Sequence, residues 1–223
     1  MPVKRRASRL SPEKRTADIL VAARAVFAER GYSDTVMAEI AERAGVVEGS
    51  IYRYFRNKRD LMFQMAEAWF EALIKTDEAT LGAIGGARNR LRFIIHRHLT
   101  AIHEEPDLSR LVFQHLRPDP DYREKRLFAL NRAYTARVVE VVKAGVAAGE
   151  IRGDVSASLV RDVIFGSIEH RTWAFLRHEG DFDIERLSDQ LVDHVWAGLA
   201  VPGVQADIGA ALARIEARMA ARD

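Results

Sequence analysis

Only three residues, Gly45-Val46-Val47, separate two short stretches with helical character, about Val36 to Ala44 and Glu48 to Tyr54. A connection that short forces the two helices to cross steeply. Ile40, Ala41 and Ala44 on the first and Ile51, Tyr52 and Phe55 on the second can then bury against a preceding helix. The small Ala41 and Ala44 permit close approach and the glycine relieves the turn. That preceding helix is announced by Ser11-Pro12-Glu13, which supplies a side-chain acceptor at the N-cap, a proline at N1 and a carboxylate near the positive end of the dipole. Ile19, Ala23, Val26 and Phe27 form its apolar stripe, and Gly31 is placed for a left-handed C-terminal cap. Together the three segments predict a compact helix-turn-helix unit of roughly fifty residues.

Further along, Asn57 reads as a fresh N-cap with Asp60 at N3, opening a long helix that carries Leu61, Met65, Trp69 and Ala72. After the break at residues 81–86, helices are predicted at about Ala87 to Glu104, Pro106 to Leu116, Tyr122 to Ala148, Ser156 to His178 and Ile184 to Leu199, with a last amphipathic piece from Gln205 to Ala220. No stretch alternates apolar and polar residues between hairpin turns, so the fold class is all-α. The 223 residues include no Cys, which excludes disulfide scaffolds, thiolate metal sites and Cys nucleophiles. No run of 18 apolar residues occurs without a charge, so no membrane span or export is expected, and the absence of Cys fits the cytosol.

Enzyme signatures are missing as well. His96 and His103 share a helix face but His98 does not, and no His-x-x-x-His with an enclosed Glu accompanies them. There is no phosphate-cradling glycine loop or nucleophile elbow, so neither catalysis, nor a metal, nor a cofactor is expected. Charge points elsewhere: residues 1–60 hold 13 Lys and Arg against 8 Asp and Glu, whereas the remainder holds 21 against 24. A cationic first quarter is the footprint that a phosphate backbone would select. Lys4-Arg5-Arg6 with Arg9, then Lys14 and Arg15, read either as an arm reaching DNA or as a solvated terminus.

The segment Ile19-Leu20-x-Ala22-Ala23-x-x-x-Phe27-x-x-x-Gly31-Tyr32-x-x-Thr35, then Ile40-Ala41-x-x-Ala44-Gly45-Val46, then Gly49-x-Ile51-Tyr52-x-Tyr54-Phe55-x-x-Lys58-x-x-Leu61 resembles the DNA-binding region of the TetR family of bacterial transcriptional regulators. Gly145-x-x-x-Gly149-Glu150-Ile151-Arg152-x-Asp154-Val155 is similar to a turn often seen in that family's second domain. The resemblance implies a basic arm at 1–10, a helix-turn-helix DNA-binding domain at 11–56 and a larger helical ligand-binding and dimerisation domain at 57–223. Glu48, Gly49, Ser50 and Arg53 would face base edges, Arg53 with a guanidinium suited to guanine. Thr35, Tyr52, Tyr54 and Lys58 match positions that hold phosphates in the family, although Tyr52 could equally be core. Two departures stand out, Val36 and Val47, where the family commonly has hydroxyl side chains; each forgoes a helix cap.

For the second domain, Trp69, Phe93, His96, Phe113, Tyr134, His170 and Trp173 are candidate effector contacts, since a pocket should be apolar with a few polar groups, though a helical core needs aromatic surface too. Glu169-His170-Arg171 puts three ionisable residues in succession in an apolar helix, so at least one must face inward or an interface. The pair of helices from about Ser156 and Ile184 carries Leu159, Val163, Ile164, Leu187, Leu191, Val195 and Leu199, and in the family the corresponding pair forms a four-helix bundle with its symmetry mate. The resulting expectation is a homodimeric regulator, most simply a repressor, that binds double-stranded DNA at a quasi-palindromic operator and is released by a small, largely hydrophobic effector. The rival is an architectural, chromosome-organising DNA binder on the same fold with no effector.

Overall fold

The structure, a computed structural model, describes residues 11–201, so the basic arm at 1–10 and the expected amphipathic piece at 205–220 lie outside the described residues. Among the described residues nine α-helices are present and no strand: α1 Pro12–Asp34, α2 Met37–Arg43, α3 Glu48–Ile51, α4 Lys58–Ala83, α5 Ala87–Glu104, α6 Pro106–Leu111, α7 Arg126–Ala147, α8 Ala157–Leu176 and α9 Ile184–Leu199. The expected helix from Pro106 to Leu116 forms with α6 as its first part, followed by a wider π turn at Val112–Leu116. A 3-10 turn at Tyr122–Glu124 precedes α7.

Capping chemistry sets several of these limits. Ser11 Oγ accepts from the Lys14 N–H at 3.3 Å, with Pro12 at the first helical position. Asn57 Oδ1 accepts from the Asp60 N–H at 2.8 Å, and Asp60 Oδ2 reaches back to the Arg56 N–H at 2.9 Å, one residue beyond the N-cap N–H that a capping box takes. Gly31 has φ 73 but an extended ψ of 176, so it kinks the end of α1 rather than forming the left-handed cap.

The chain divides into two compact units: residues up to 72 together with 105–130, and residues 73–104 together with 131 onward. Position 56/57 falls inside the first unit, where Leu61, Met62, Phe63, Met65 and Ala66 of α4 are buried. The first unit is centred on Ile19, Ala23, Val26 and Phe27 of α1, Ile40 and Ala41 of α2, and Ile51 and Phe55, all at 2% exposure or less. The residues from 105 onward are fastened into it by Arg24 on Glu105 at 2.5 Å, by Tyr32 against the His115 ring at 4.8 Å, and by Arg59 Nε on Asp119 Oδ2 at 2.6 Å.

The second unit buries Leu91, Ile95, Leu99 and Ile102 of α5, Val138 and Val142 of α7, Ile164, Ile168 and Leu176 of α8, and Val192 and Leu199 of α9. Along one side, α5 and α9 are laced by charge at four-residue spacing: Arg88 to Asp193, Arg92 to Asp189 and Glu185, His96 to Glu185. The segment around Gly145 is a close approach. A Cβ there would lie 2.6 Å from Ile151 Cδ1 and 2.9 Å from Ala87 Cβ. Glu150 then caps α5, its Oε2 accepting from the Ala87 N–H at 2.7 Å.

Candidate nucleic-acid interface

The turn between α2 and α3 is fixed by backbone bonds rather than by side-chain caps. Gly45 takes φ 63, its N–H donates to Glu42 O at 3.0 Å, and the Val46 N–H donates to Ala41 O at 2.9 Å. This is a Schellman closure, and it needs a residue that tolerates the left-handed region at position 45. The α1 and α2 helices are clamped by a two-point Arg43–Glu29 contact, with Arg43 Nη2 to Glu29 Oε2 at 2.7 Å, and by Arg30 on Glu39 at 3.3 Å. As the two valines foretold, neither Val36, the N-cap of α2, nor Val47, the N-cap of α3, makes a side-chain cap bond.

The reading segment is shorter than its sequence suggests. Regular helix covers only Glu48–Ile51, after which Arg53 N–H bonds Ser50 O and Tyr54 N–H bonds Ile51 O in tighter i to i+3 turns. The reason lies in the apolar anchors: Ile51 and Phe55 are both fully buried and Asn57 already starts α4, leaving no room for a longer rod. Glu48, Gly49 and Arg53 are exposed and Ser50 is half-buried, so all four proposed base-facing residues lie on accessible surface. A Cβ on Gly49 would meet nothing within 4 Å, so the fold itself has no need of glycine there. Tyr52 is 48% exposed, outside the core it could have joined, and Tyr54 is half-buried.

Thr35 and Lys58 depart from their expected phosphate role. Thr35 is 1% exposed and its hydroxyl donates to Gly31 O at 2.6 Å. Lys58 Nζ donates to Tyr32 O at 2.6 Å, Ser33 O at 3.1 Å and Thr35 O at 2.8 Å, and lies 4.5 Å from the centre of the Tyr32 ring. An ammonium has three protons, and here all three are committed to the carbonyls that close α1. These two residues build the α1–α2 turn. Beside them, burial and the Lys58 charge together hold the His115 imidazole below its ordinary pKa, burial being the larger cause.

The seven candidate effector residues are divided between the two units. Trp69 and Phe113 belong to the first unit, where Trp69 packs edge-on to Phe70 at 5.1 Å and Arg117 lies over Phe113. In the second unit, Tyr134 is 2% exposed beside His98 and Phe165, and its hydroxyl is pushed far up by burial and then by the charge of Asp77. His96 pairs with Glu185 at 2.8 Å, Phe93 and Trp173 are half-buried, and His170 is exposed. Of the triplet 169–171, His170 and Arg171 point to solvent while the next residue, Thr172, is buried. His103 stacks on Phe175 and bonds Asp181 at 3.2 Å, so the three α5 histidines serve separate neighbours; no group of three metal-ligating side chains occurs among the described residues.

What sequence reasoning missed lies on α4 and α7. A groove of about 580 Å³ in the second unit is lined by Ile74, Leu81 and Gly82 of α4, by Ala133, Ala136, Val141 and Ala144 of α7, and by the charged Glu78, Arg90, Arg137 and Glu140. Behind it Asp77, 2% exposed, receives Arg97 Nε at 2.9 Å and lies 3.4 Å from Arg137 Nη1, while Arg137 Nη2 also donates to Ile74 O at 2.6 Å. One carboxylate thus faces two guanidiniums. The available signal was Asp77 itself, a charge interrupting the apolar spacing Leu73, Asp77, Leu81.

Comparison with known proteins agrees with this geometry. Residues 19–65 match the model of the bacterial regulatory proteins of the tetR family, and residues 85–199 match the tetracyclin repressor-like C-terminal domain. The chain is 25% identical over 181 residues to a fatty acid metabolism regulator protein of Bacillus subtilis, covering 81% of this chain and 93% of that one. It is 24% identical over 201 residues to the HTH-type transcriptional repressor KstR2 of Mycobacterium tuberculosis, covering 85% and 95%. Among solved structures, the regulator FadR from Bacillus subtilis in complex with stearoyl-CoA superposes with a TM-score of 0.74 at 25% identity, covering 82% of this chain and 98% of that one.

Proposed function

Because the chain belongs to the TetR family of bacterial regulatory proteins, we propose that it is a transcriptional repressor whose homodimer occupies a quasi-palindromic operator and leaves it when a small, largely hydrophobic effector binds. Glu48, Gly49, Ser50 and Arg53 face base edges in the major groove, and Tyr52 and Tyr54 hold flanking phosphates. Lys58 and Thr35 support this surface from behind. The observation that carries the reading is the exposed leading side of α3, held from behind by Ile51 and Phe55 in the core. A Gly49 that the fold does not need adds to it, because a missing side chain then serves only an approaching partner.

Dimerisation is supported by α8, where Leu159 at 61% and Val163 at 47% stand exposed one turn apart. Two protomers related by a two-fold axis place their α3 helices on half-sites about 34–36 Å apart or at a multiple of that spacing. The groove on α4 and α7 suits an apolar effector with an anionic end, its small aliphatic lining admitting a chain or ring and Arg90 and Arg137 standing among its lining residues. The stearoyl-CoA complex of a structural relative supports an acyl thioester as one such molecule. Effector binding releases DNA only to the extent that it favours one conformation over the other. No described helix is long and apolar enough to cross a membrane, in keeping with action in the cytoplasm.

Relatives named as a fatty acid metabolism regulator and as a transcriptional repressor favour this reading over an architectural one. The deciding experiment selects bound sequences from random duplexes and then titrates the complex with free fatty acids, acyl-CoA esters and sterols. Enrichment of a two-fold symmetric sequence with release by one of these classes supports the proposal. Sequence-independent binding untouched by any of them overturns it in favour of a chromosome-organising role.

A further inference from the structure

Large apolar side chains that stand exposed among the described residues are few: besides Val21 at 71% on α1, the α2–α3 segment carries Val36 at 57%, Val47 at 77% and Tyr52 at 48%. Val47 is the most exposed, and two features make it costly to keep. It occupies the N-cap of α3 with no side-chain bond, where a hydroxyl or amide would satisfy an open N–H, and it leaves branched hydrocarbon in water. No described residue of the first unit covers it, and it immediately precedes the exposed pair Glu48 and Gly49.

The chemistry that rewards such a side chain in a DNA major groove is narrow. Base pairs present donors and acceptors there, and the one apolar group they offer is the C5-methyl of thymine. We propose that Val47 is a specificity-determining residue that packs its branched methyls on the C5-methyl of one thymine in each operator half-site. The inference rests on the reading of α3 as the DNA-reading helix. Val36 is assigned no such contact, because it caps α2, and the first helix of a helix-turn-helix crosses the phosphodiester backbone rather than entering the groove.

The test uses the full chain and the operator obtained by selection. Each thymine of a half-site is replaced in turn by deoxyuridine, which removes the methyl and keeps every hydrogen-bonding group, and affinity is read by fluorescence anisotropy at one fixed salt concentration. The expected result is a single sensitive thymine per half-site, with a loss of about fourfold for one half-site and about fifteenfold for both, the size of withdrawing one methyl from contact each time. Val47→Ala should lose a similar factor on the natural operator and no longer distinguish thymine from deoxyuridine at that position. Val47→Thr, which restores a capping hydroxyl and keeps one methyl, should retain part of the discrimination.

Equal binding of deoxyuridine and thymine at every position by the wild-type protein overturns the inference, as does full discrimination by Val47→Ala. A loss in Val47→Ala that is the same on operator and random duplexes also overturns it, placing the side chain on deoxyribose instead. Failure to enrich any sequence in the selection is a different outcome, which removes the operator reading itself.

Discussion

Replacing Lys58 by Met separates a residue that builds the α1–α2 turn from one that grips DNA. The three Nζ bonds, to Tyr32 O, Ser33 O and Thr35 O, are the whole donor capacity of the ammonium. Two of them are part-buried and one is exposed, so the exposed Ser33 carbonyl exchanges its partner for water at little cost. Each part-buried bond contributes about 1 kcal/mol net. The cation over the Tyr32 ring adds about 0.5 kcal/mol at a site still open to solvent. The variant should therefore lose about 2–3 kcal/mol, or about 5–10 °C in Tm for a chain of this size. Methionine preserves most of the stem, which limits the change to the charge and its bonds. The assay pairs denaturant unfolding with DNA binding over a range of salt. If Lys58 neutralised a phosphate, the slope of log K against log salt would flatten by about 0.9 per protomer, or about 1.8 for a dimer. Unchanged stability with a slope flattened by that amount would refute the structural role; reduced stability with the original slope is the expected result.

Arg53→Ala should cost about 1–3 kcal/mol on the selected operator and relax preference at one base pair, checked by competition among single-base variants; an equal loss on random duplexes would make Arg53 a phosphate contact only. Gly145→Ala sets a Cβ 2.9 Å from Ala87 Cβ, an atom fixed to its backbone, as well as 2.6 Å from the more yielding Ile151 Cδ1. Overpacking of that kind costs about 1–3 kcal/mol, so a thermal midpoint equal to that of the wild type would contradict the close approach. For His115, the native imidazole pKa is lowered, by burial first and by Lys58 second. The native state then binds the proton less readily than the unfolded chain. The stability contribution is present above the ordinary His pKa of about 6.5 and is lost as pH falls from there through the native value. An NMR titration of the His115 ring placing its midpoint at or above 6.5 would reverse this sign.

The helix-turn-helix was legible because local rules and burial agree there. Ser11, Pro12, Asn57 and Gly45 act within a few residues of themselves, and Ile19, Phe27, Ile40, Ile51 and Phe55 sit at spacings that leave a single way to share a core. Lys58 and Thr35 were read differently because an ammonium or a hydroxyl is equally suited to a phosphate oxygen and to a backbone carbonyl. Composition supplies the donor, and only the end of α1 brought back over Lys58 decides the acceptor.

The groove on α4 and α7 was hidden for a related reason, and the reason bears on the proposed release from DNA. Aromatic residues mark burial, so of the seven side chains singled out from the sequence Trp69 and Tyr134 are core, His96 bonds Glu185, and the other four serve separate surroundings. The groove is instead lined in part by Ala133, Ala136 and Ala144, whose small volume leaves space unfilled. Behind it, Asp77 balances only one of the two guanidiniums it faces, and Arg137 belongs both to that cluster and to the groove wall. An anionic group arriving at Arg137 would compete with Asp77 for the same cation, and Arg137 also holds the Ile74 carbonyl of α4. A ligand that draws Arg137 away from that carbonyl acts on α4, the helix that begins at Lys58 under the α1–α2 turn. Tighter binding to a state in which Arg137 has left the Ile74 carbonyl would supply free energy for the proposed release from DNA.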